Sequence, residues 1–521
     1  MSSSRTGEPN TSPPSTPTLN DALHNPDARS VKLDNEGNLN FSSRGLANLG
    51  CLIFLCTGIL TLFIGYPVAS YARHKAEEAA ISNHGGINVI PTQIPSMGNF
   101  GPIDHDTPLD VYTKTSYRDG LQWQLVFSDE FNTDGRSFYP GDDPYWEAAD
   151  LHYWATNNLE WYDPEAVTTE NGSLVITFSE MVTHDLNYQG GGLIETSVQL
   201  PGTNNVVGMW PAVWTMGNLG RAGYGATLEG TWPYTYDSCD VGTVPNQTRD
   251  GFPLPATING DPSFGYALSY LPGQKLSRCT CEGEDHPGPK HTDGGYVGRS
   301  APEIDVFEAQ ITGHPLTGQV SQSAQWAPFN HAWIWENTTE NINIDDPTIS
   351  VLNRFIGSAT QQATSVVTNT NQRCYELLEE CYSVYGFELG YDEAYISWVS
   401  DDRPAWTIKS GGLGPDHAVE ISARPVPQEP MYIIINLGMS KNFGVIDFQH
   451  LQFPNRLRID WVRIYQHPDA INIGCNPENF PTEDYINRHM EAYTNSNLTT
   501  WRDDYKKPFP KNSFLHPCSP G

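Results

Sequence analysis

Between Leu121 and Gln466 the chain is a succession of short strand-like runs broken by Gly, Pro, Asn and Asp, with little helical periodicity. Runs such as Ser173–Phe178, Met431–Asn436 and Leu457–Tyr465 are rich in β-branched and aromatic residues. Such side chains suit a pleated surface better than a helix. The last run, Leu-Arg-Ile-Asp-Trp-Val-Arg-Ile-Tyr, alternates apolar and polar residues, as a strand does when one face is buried and the other wet. No internal repeat of about 20–50 residues is visible. The expected fold class is therefore all-β, a two-sheet sandwich of jelly-roll type.

Within this region, Glu303-Ile304-Asp305-Val306-Phe307-Glu308 places three carboxylates on an otherwise apolar segment. On a regular strand Glu303 and Asp305 share a face, and Glu308, at i+5, faces the other way. One extra residue, a β-bulge within Ile304–Phe307, would return Glu308 to the same face, and bulges recur beside active sites. The Cα atoms of Glu303 and Glu308 would then lie roughly 13 Å apart, at about 3.3 Å per step. Two inward-leaning Glu side chains can close that gap to about 5–5.5 Å, the separation of a retaining glycosidase. Three carboxylates this close cannot all ionise, so one is expected to keep its proton near neutral pH. The plainer reading is a set of solvated strand acids. A regular strand with Glu308 turned away from Glu303 would remove the chemistry altogether.

The balance of 61 acidic against 29 basic residues, net −32, makes nucleic acid a poor partner. Fourteen Trp and 25 Tyr suit a carbohydrate-binding surface, and equally an aromatic β core. Leu46–Tyr66 carries no charge and is followed by Pro67, long enough to cross a bilayer. It follows a polar leader and precedes no small-residue cleavage site, so an uncleaved signal anchor is expected rather than a signal peptide, with a buried core helix as the alternative. Flanking charge is balanced: Arg29, Lys32 and Arg44 before, Arg73 and Lys75 after. Glycosylation sequons follow the span at Asn171, Asn246, Asn337 and Asn497, and two precede it at Asn10 and Asn40. Seven of the nine cysteines also follow it, dispersed rather than in zinc-knuckle pairs, which favours disulfides with one thiol left over. The large C-terminal part is thus expected in the secretory lumen or outside the cell.

The chain divides into a disordered cytosolic tail (1–45), a transmembrane signal anchor (46–68), a stalk (69–115), the sandwich (116–470) and a Cys-containing C-terminal extension (471–521). A long irregular insertion at about 218–302 interrupts the strands. Loops of that length are uncommon unless functional or stapled. Pairing of Cys475 with Cys518 would pin the extension to the domain. His314 and His331 show no metal-site spacing, and no cofactor is expected.

Several blocks carry a resemblance. Phe127-Ser-Asp-Glu-Phe131, Gly208-Met-Trp-Pro-Ala-Val-Trp214 and the Glu303–Glu308 hexapeptide occur in the order seen in family 16 glycoside hydrolases, β-glucan-active jelly rolls. Within the insertion, Thr231–Gly242, Ser269–Cys281 and Gly283–Gly288 resemble the fungal β-glucan synthesis-associated family, type II membrane proteins required for cell-wall β-1,6-glucan. That resemblance covers roughly residues 40–520 and implies the lumenal orientation that flanking charge leaves open.

By position it makes Glu303 the nucleophile, Glu308 the general acid/base and Asp305 a helper carboxylate. Trp210, Trp214, Gln325 and Trp326 are candidates for substrate binding, each with a core role as the alternative. The function expected is a membrane-anchored retaining β-glucan hydrolase or transglycosylase. A non-catalytic glucan-binding scaffold of the secretory pathway and a secreted endo-β-1,3(4)-glucanase are the alternatives.

Overall fold

The structure, a computed structural model, describes Leu52 and residues 101–178, 192–390, 394–474 and 476–518. The expected tail, the span apart from Leu52, residues 69–100 and Cys475 lie outside them. Among the described residues no helix is long and apolar enough to cross a membrane. All but Leu52 belong to one compact unit, Val89–Gly521.

The strands in chain order are β1 (Thr113–Thr115), β2 (Gln122–Asp129), β3 (Val167–Thr169), β4 (Leu174–Phe178), β5 (Leu193–Gln199), β6 (Trp210–Gly217), β7 (Glu303–Thr312), β8 (Thr317–Trp326) and β9 (Ile342–Ile344). They continue as β10 (Ser350–Leu352), β11 (Gly357–Ser358), β12 (Gln361–Asn369), β13 (Ser383–Leu389), β14 (Tyr395–Ser400), β15 (Arg403–Lys409), β16 (Met431–Gly438) and β17 (Asn455–Gln466). A ten-stranded sheet runs β1-β2-β17-β5-β13-β14-β15-β9, with β4 also on β17 and β3 on β4. A seven-stranded sheet runs β10-β12-β8-β7-β6-β16, with β11 on β12. Among the described residues the ladders between these strands are antiparallel.

One apolar core joins the two sheets. Val213, Ile304, Val320, Ala324, Trp326 and Ile433 of the smaller sheet meet Phe127, Ile194, Phe387, Trp398, Trp406 and Ile459 of the larger. Each Val, Ile or Phe side chain among them contributes about 1.5–3 kcal/mol when fully buried. The other face of the smaller sheet is polar on alternate residues of β8 (Ser321, Ser323, Gln325), and these line a cleft. Residues 101–115, expected within the stalk, are docked instead: Ile103 bridges Ser128 and β1 pairs with β2.

β6 ends at Gly217 and β7 begins at Glu303, so residues 218–302 form the insertion. It lies against the C-terminal extension, where Leu219, Ala226 and Leu276 pack on Tyr485, Ala492, Tyr493 and Trp501. Cys239–Cys279 staples the insertion internally, and Cys281–Cys518 ties it to the extension. A third disulfide joins Cys374 and Cys381. The expected Cys475–Cys518 pairing is corrected: the apolar contact between insertion and extension brings Cys518 to Cys281.

The same junction buries Arg299, which is fully inaccessible. Its Nε and Nη2 donate to the two carboxylate oxygens of Glu429, both at 2.8 Å, and Nη1 donates to the carbonyls of Gly288 and Pro481, both at 2.7 Å. Removing one partner of such a pair strands a buried charge. Glu429→Ala is therefore expected to lose about 3–5 kcal/mol of stability in urea denaturation. A loss below about 1 kcal/mol, the worth of an exposed pair, would show that the junction is not closed.

Candidate active site

The bulge expected in β7 is present. Against β6, Trp214 pairs with Asp305 and Val213 with Phe307, which leaves Val306 as the extra residue. Against β8, Asp305 pairs with Ser323 and Glu308 with Ser321, so Val306 and Phe307 together oppose Gln322. Both bulged residues enter the core. Because two successive side chains point inward, Glu308 returns to the cleft face with Glu303 and Asp305.

A bulge disturbs the ladder, and its backbone needs other partners. Gln322, a polar side chain buried in the apolar core, donates to the carbonyl of Val306 at 3.0 Å and to that of Val399 at 2.9 Å. From the opposite sheet, the indole N–H of Trp398 donates to the carbonyl of Asp305 at 2.8 Å. Trp398 is itself held by stacking on Trp406, with centroids 4.2 Å apart and planes 1° from parallel.

Each acid has its own donors. The indole N–H of Trp232 reaches Glu303 Oε2 at 2.5 Å. Ser323 Oγ and Gln325 Nε2 donate to Asp305 Oδ2 at 2.6 and 3.0 Å. Trp210 Nε1 donates to Glu308 Oε1 at 3.1 Å, and the Trp210 ring stacks on Phe443 with centroids 4.1 Å apart. Burial raises all three carboxyls. Glu308 is pushed up to about 8 by burial and then by the charge of Asp305, with the Trp210 bond opposing. Glu303 is held well above the ordinary range by burial and then by Asp305, with the Trp232 bond pulling it down. Asp305 is also raised by burial, but the bonds from Ser323, Gln325 and Glu303 all favour its ionised form. Near neutral pH the arrangement therefore holds one proton on Glu308 and another shared between Glu303 and Asp305.

The cleft has a volume of about 790 Å³ and crosses the strands from Asn436 on β16 to Asn353 and Phe355 beyond β12. Four acids line it (Glu229, Glu303, Asp305, Glu308) and no Lys, Arg or His. One wall is a polar relay. Trp214 Nε1 donates to Asn436 Oδ1 at 2.9 Å, Asn436 Nδ2 to the Tyr162 hydroxyl at 3.2 Å, and Asn158 Nδ2 to Tyr162 at 3.2 Å and to Glu160 at 2.6 Å. The insertion supplies Glu229, Trp232, Leu271 and Pro272 to the cleft, and the extension supplies Thr499. The Glu229 carboxylate accepts the backbone N–H groups of Trp501 at 2.6 Å and Arg502 at 3.1 Å, which fastens the turn leading to Trp232.

Of the residues singled out in the sequence, Glu303, Asp305, Glu308, Trp210, Trp214 and Gln325 all line the cleft. Trp326 does not, and that expectation is corrected. It is fully buried, with its indole N–H on Thr364 Oγ1 at 2.8 Å. On a regular strand adjacent residues face opposite ways, so with Gln325 in the cleft Trp326 must enter the core. Asn171, Asn246, Asn337 and Asn497 are all exposed. Sequence reasoning missed Trp232, Trp154, Phe355 and Phe443. Trp232 lies within the Thr231–Gly242 block but 71 residues from Glu303, and local spacing could not join them.

Residues 14–518 match the family described as "Beta-glucan synthesis-associated protein SKN1/KRE6/Sbg1". Beta-glucan synthesis-associated protein KRE6 of Saccharomyces cerevisiae is 40% identical over 525 residues, covering 96% of this chain and 68% of that protein. Beta-glucan synthesis-associated protein SKN1 of Candida albicans is 40% identical over 517 residues, covering 95% of this chain and 66% of that one. The chain thus spans only about two thirds of the length of these relatives. Among solved structures, the endo-β-1,3-glucanase of Pyrococcus furiosus aligns at TM-score 0.36 and 16% identity, over 69% of this chain and 98% of that one. The laminarinase catalytic domain of Thermotoga petrophila aligns at 0.35 and 19%, over 66% and 98%.

The raised carboxyl of Glu308 has a measurable consequence. An unfolded Glu ionises near pH 4.5, whereas folded Glu308 holds its proton to about 8. Between those values the folded state binds more protons, so this contribution to stability is complete below about pH 4.5 and is lost as pH rises through about 8. Glu308→Gln stays neutral throughout and can still accept from Trp210. The variant is expected to be more stable than the parent at and above pH 8 in urea melts, and the gap should close towards pH 4.5. A parent more stable than the variant at high pH would contradict the assigned protonation.

Proposed function

The chain belongs to the beta-glucan synthesis-associated SKN1/KRE6/Sbg1 family, and from that premise we propose that it is a retaining β-glucan hydrolase or transglycosylase acting in fungal cell-wall β-1,6-glucan assembly. The observation that carries this reading is the bulge, which sets Glu303, Asp305 and Glu308 on one cleft wall with separate donors for each. In the mechanism, Glu303 attacks the anomeric carbon as its shared proton passes to Asp305. Glu308 gives its proton to the departing glycosidic oxygen. The glycosyl–Glu303 ester is then opened by an oxygen nucleophile, whose proton returns to Glu308. Water as that nucleophile gives hydrolysis, and a glucan hydroxyl gives transfer.

The charge of the cleft supports a neutral substrate. Glu229 is matched by Arg502 at 3.2 Å, and two protons among three strand carboxyls leave one negative charge facing the cleft, with no cation in the lining to attract uronate, sulfate or phosphate groups. The three disulfides and the exposed sequons support an oxidising, glycosylating compartment. With Leu46–Tyr66 as an uncleaved anchor, we place the domain on the lumenal or extracellular side of a single-pass type II membrane protein.

Glu308→Gln is expected to lower kcat about 10²–10⁴-fold, and Glu303→Gln to abolish turnover. Both are read by sizing products from defined β-1,3- and β-1,6-gluco-oligosaccharides, where longer products mean transfer and only shorter ones hydrolysis. Full activity in both variants would remove the catalytic assignment and favour a glucan-binding scaffold. A carboxymethylated β-glucan should be turned over more slowly than its neutral parent at low salt, with the gap narrowing as salt rises. Equal rates at low salt would contradict the charge argument.

A further inference from the structure

Resting on the reading of the cleft as a glucan site, we propose that the glucan track continues past the cleft onto an aromatic ledge built by the insertion, with Phe264 and Tyr270 as its floor. The cleft leaves the smaller sheet along β12, where Ser365, Ala363, Gln361 and Thr360 line it in turn. At the β11–β12 hairpin the Ala359 carbonyl accepts the backbone N–H of Tyr270 at 2.6 Å. Leu271 and Pro272, next in sequence, line the cleft themselves, so Tyr270 sits at its rim by covalent continuity. Its ring turns outward and is 59% exposed, lying 4.7 Å from Phe264. Phe355, two residues before the β11–β12 hairpin, lines the cleft and is 48% exposed.

Grouped aromatic rings left in water mark a binding surface rather than a packing element. The loop that presents them is held stiffly. Leu268 donates its N–H to the Ala256 carbonyl at 2.8 Å, Asp261 donates its own to that of Ala267 at 3.0 Å, and Trp333 Nε1 donates to the Leu268 carbonyl at 3.1 Å. Rings fixed in advance lose little entropy on binding. The occupant follows from charge and continuity. From Arg249 to Tyr270 there are two Asp and one Arg, and Arg249 lies 3.9 Å from Asp250 and over the Phe514 ring, so this loop carries no cluster of cations for an anionic lipid or phosphate ligand. A neutral pyranose offers an apolar C–H face to the rings and hydroxyls to the Tyr270 phenol. The ledge therefore serves chains too long for the cleft alone.

The test uses the full chain carrying Glu308→Gln to suppress turnover. Binding is measured by co-sedimentation with insoluble β-glucan and by calorimetry with a gluco-trisaccharide. Adding Phe264→Ala and Tyr270→Ala is expected to weaken polymer binding roughly tenfold and leave the trisaccharide unchanged, and Tyr270→Trp should restore part of the loss. Unchanged polymer binding overturns the ledge, as does a parallel fall for polymer and trisaccharide. Loss of binding to phosphatidylcholine vesicles with glucan binding intact would assign the rings to a membrane instead. If the protein without the ledge substitutions binds neither glucan, the reading of the cleft falls, and the ledge with it.

Discussion

The site depends on how the core accommodates one surplus residue. Val306 cannot be inserted into β7 unless the carbonyls around it find partners, and both partners come from deep in the sandwich. The amide N–H groups of Gln322 would be uncompensated among apolar side chains if they did not bridge the carbonyls of Val306 and Val399. Trp398 reaches across from the larger sheet to the Asp305 carbonyl. The position of a carboxylate in the cleft is thus set by contacts on the far side of its own strand. A bulged strand held by one sheet alone would be free to relax to regular pairing, which would turn Glu308 into the core.

A second set of contacts closes the cleft from outside the sandwich. Trp232 touches Glu303 directly, and the turn that carries it is held by Glu229 against the backbone of Trp501 and Arg502. Charge is handled differently at the two places. Arg299, in the junction, is matched by a bidentate carboxylate. Glu303, Asp305 and Glu308 have no cation among the lining residues, and their charge is lowered by bound protons instead of by a fixed partner.

What the sequence disclosed follows the range of each physical signal. The in–out period of a strand is local, so the misplaced acid at Glu308 revealed the bulge, and the runs around Leu457–Tyr465 revealed the sandwich. The same arithmetic, applied one residue further along β8, would have put Trp326 in the core once Gln325 faced the cleft. Contacts across long separations were not legible. Trp232 reaches Glu303 through the folding of the insertion, and the partner of Cys518 depends on which surfaces the insertion and extension bury together. Residues 101–115 read as polar and Gly/Pro-containing, yet they dock because β2 leaves an edge for β1 to pair with.

The link between Cys281 and Cys518 spans 237 residues, and the segment that completes one end of the cleft, from Thr499 to Cys518, follows all seventeen strands in sequence. Synthesis runs in that same direction, and domains take shape as they emerge. The two sheets and their bulge can therefore assemble while Glu229 still lacks the backbone groups of Trp501 and Arg502 and Cys281 still lacks its partner. A chain at that stage carries its three carboxylates on a formed sheet beside an unfinished wall. The order of translation thus separates the building of the scaffold from the closing of the site, and the Cys281–Cys518 bond seals the second event covalently.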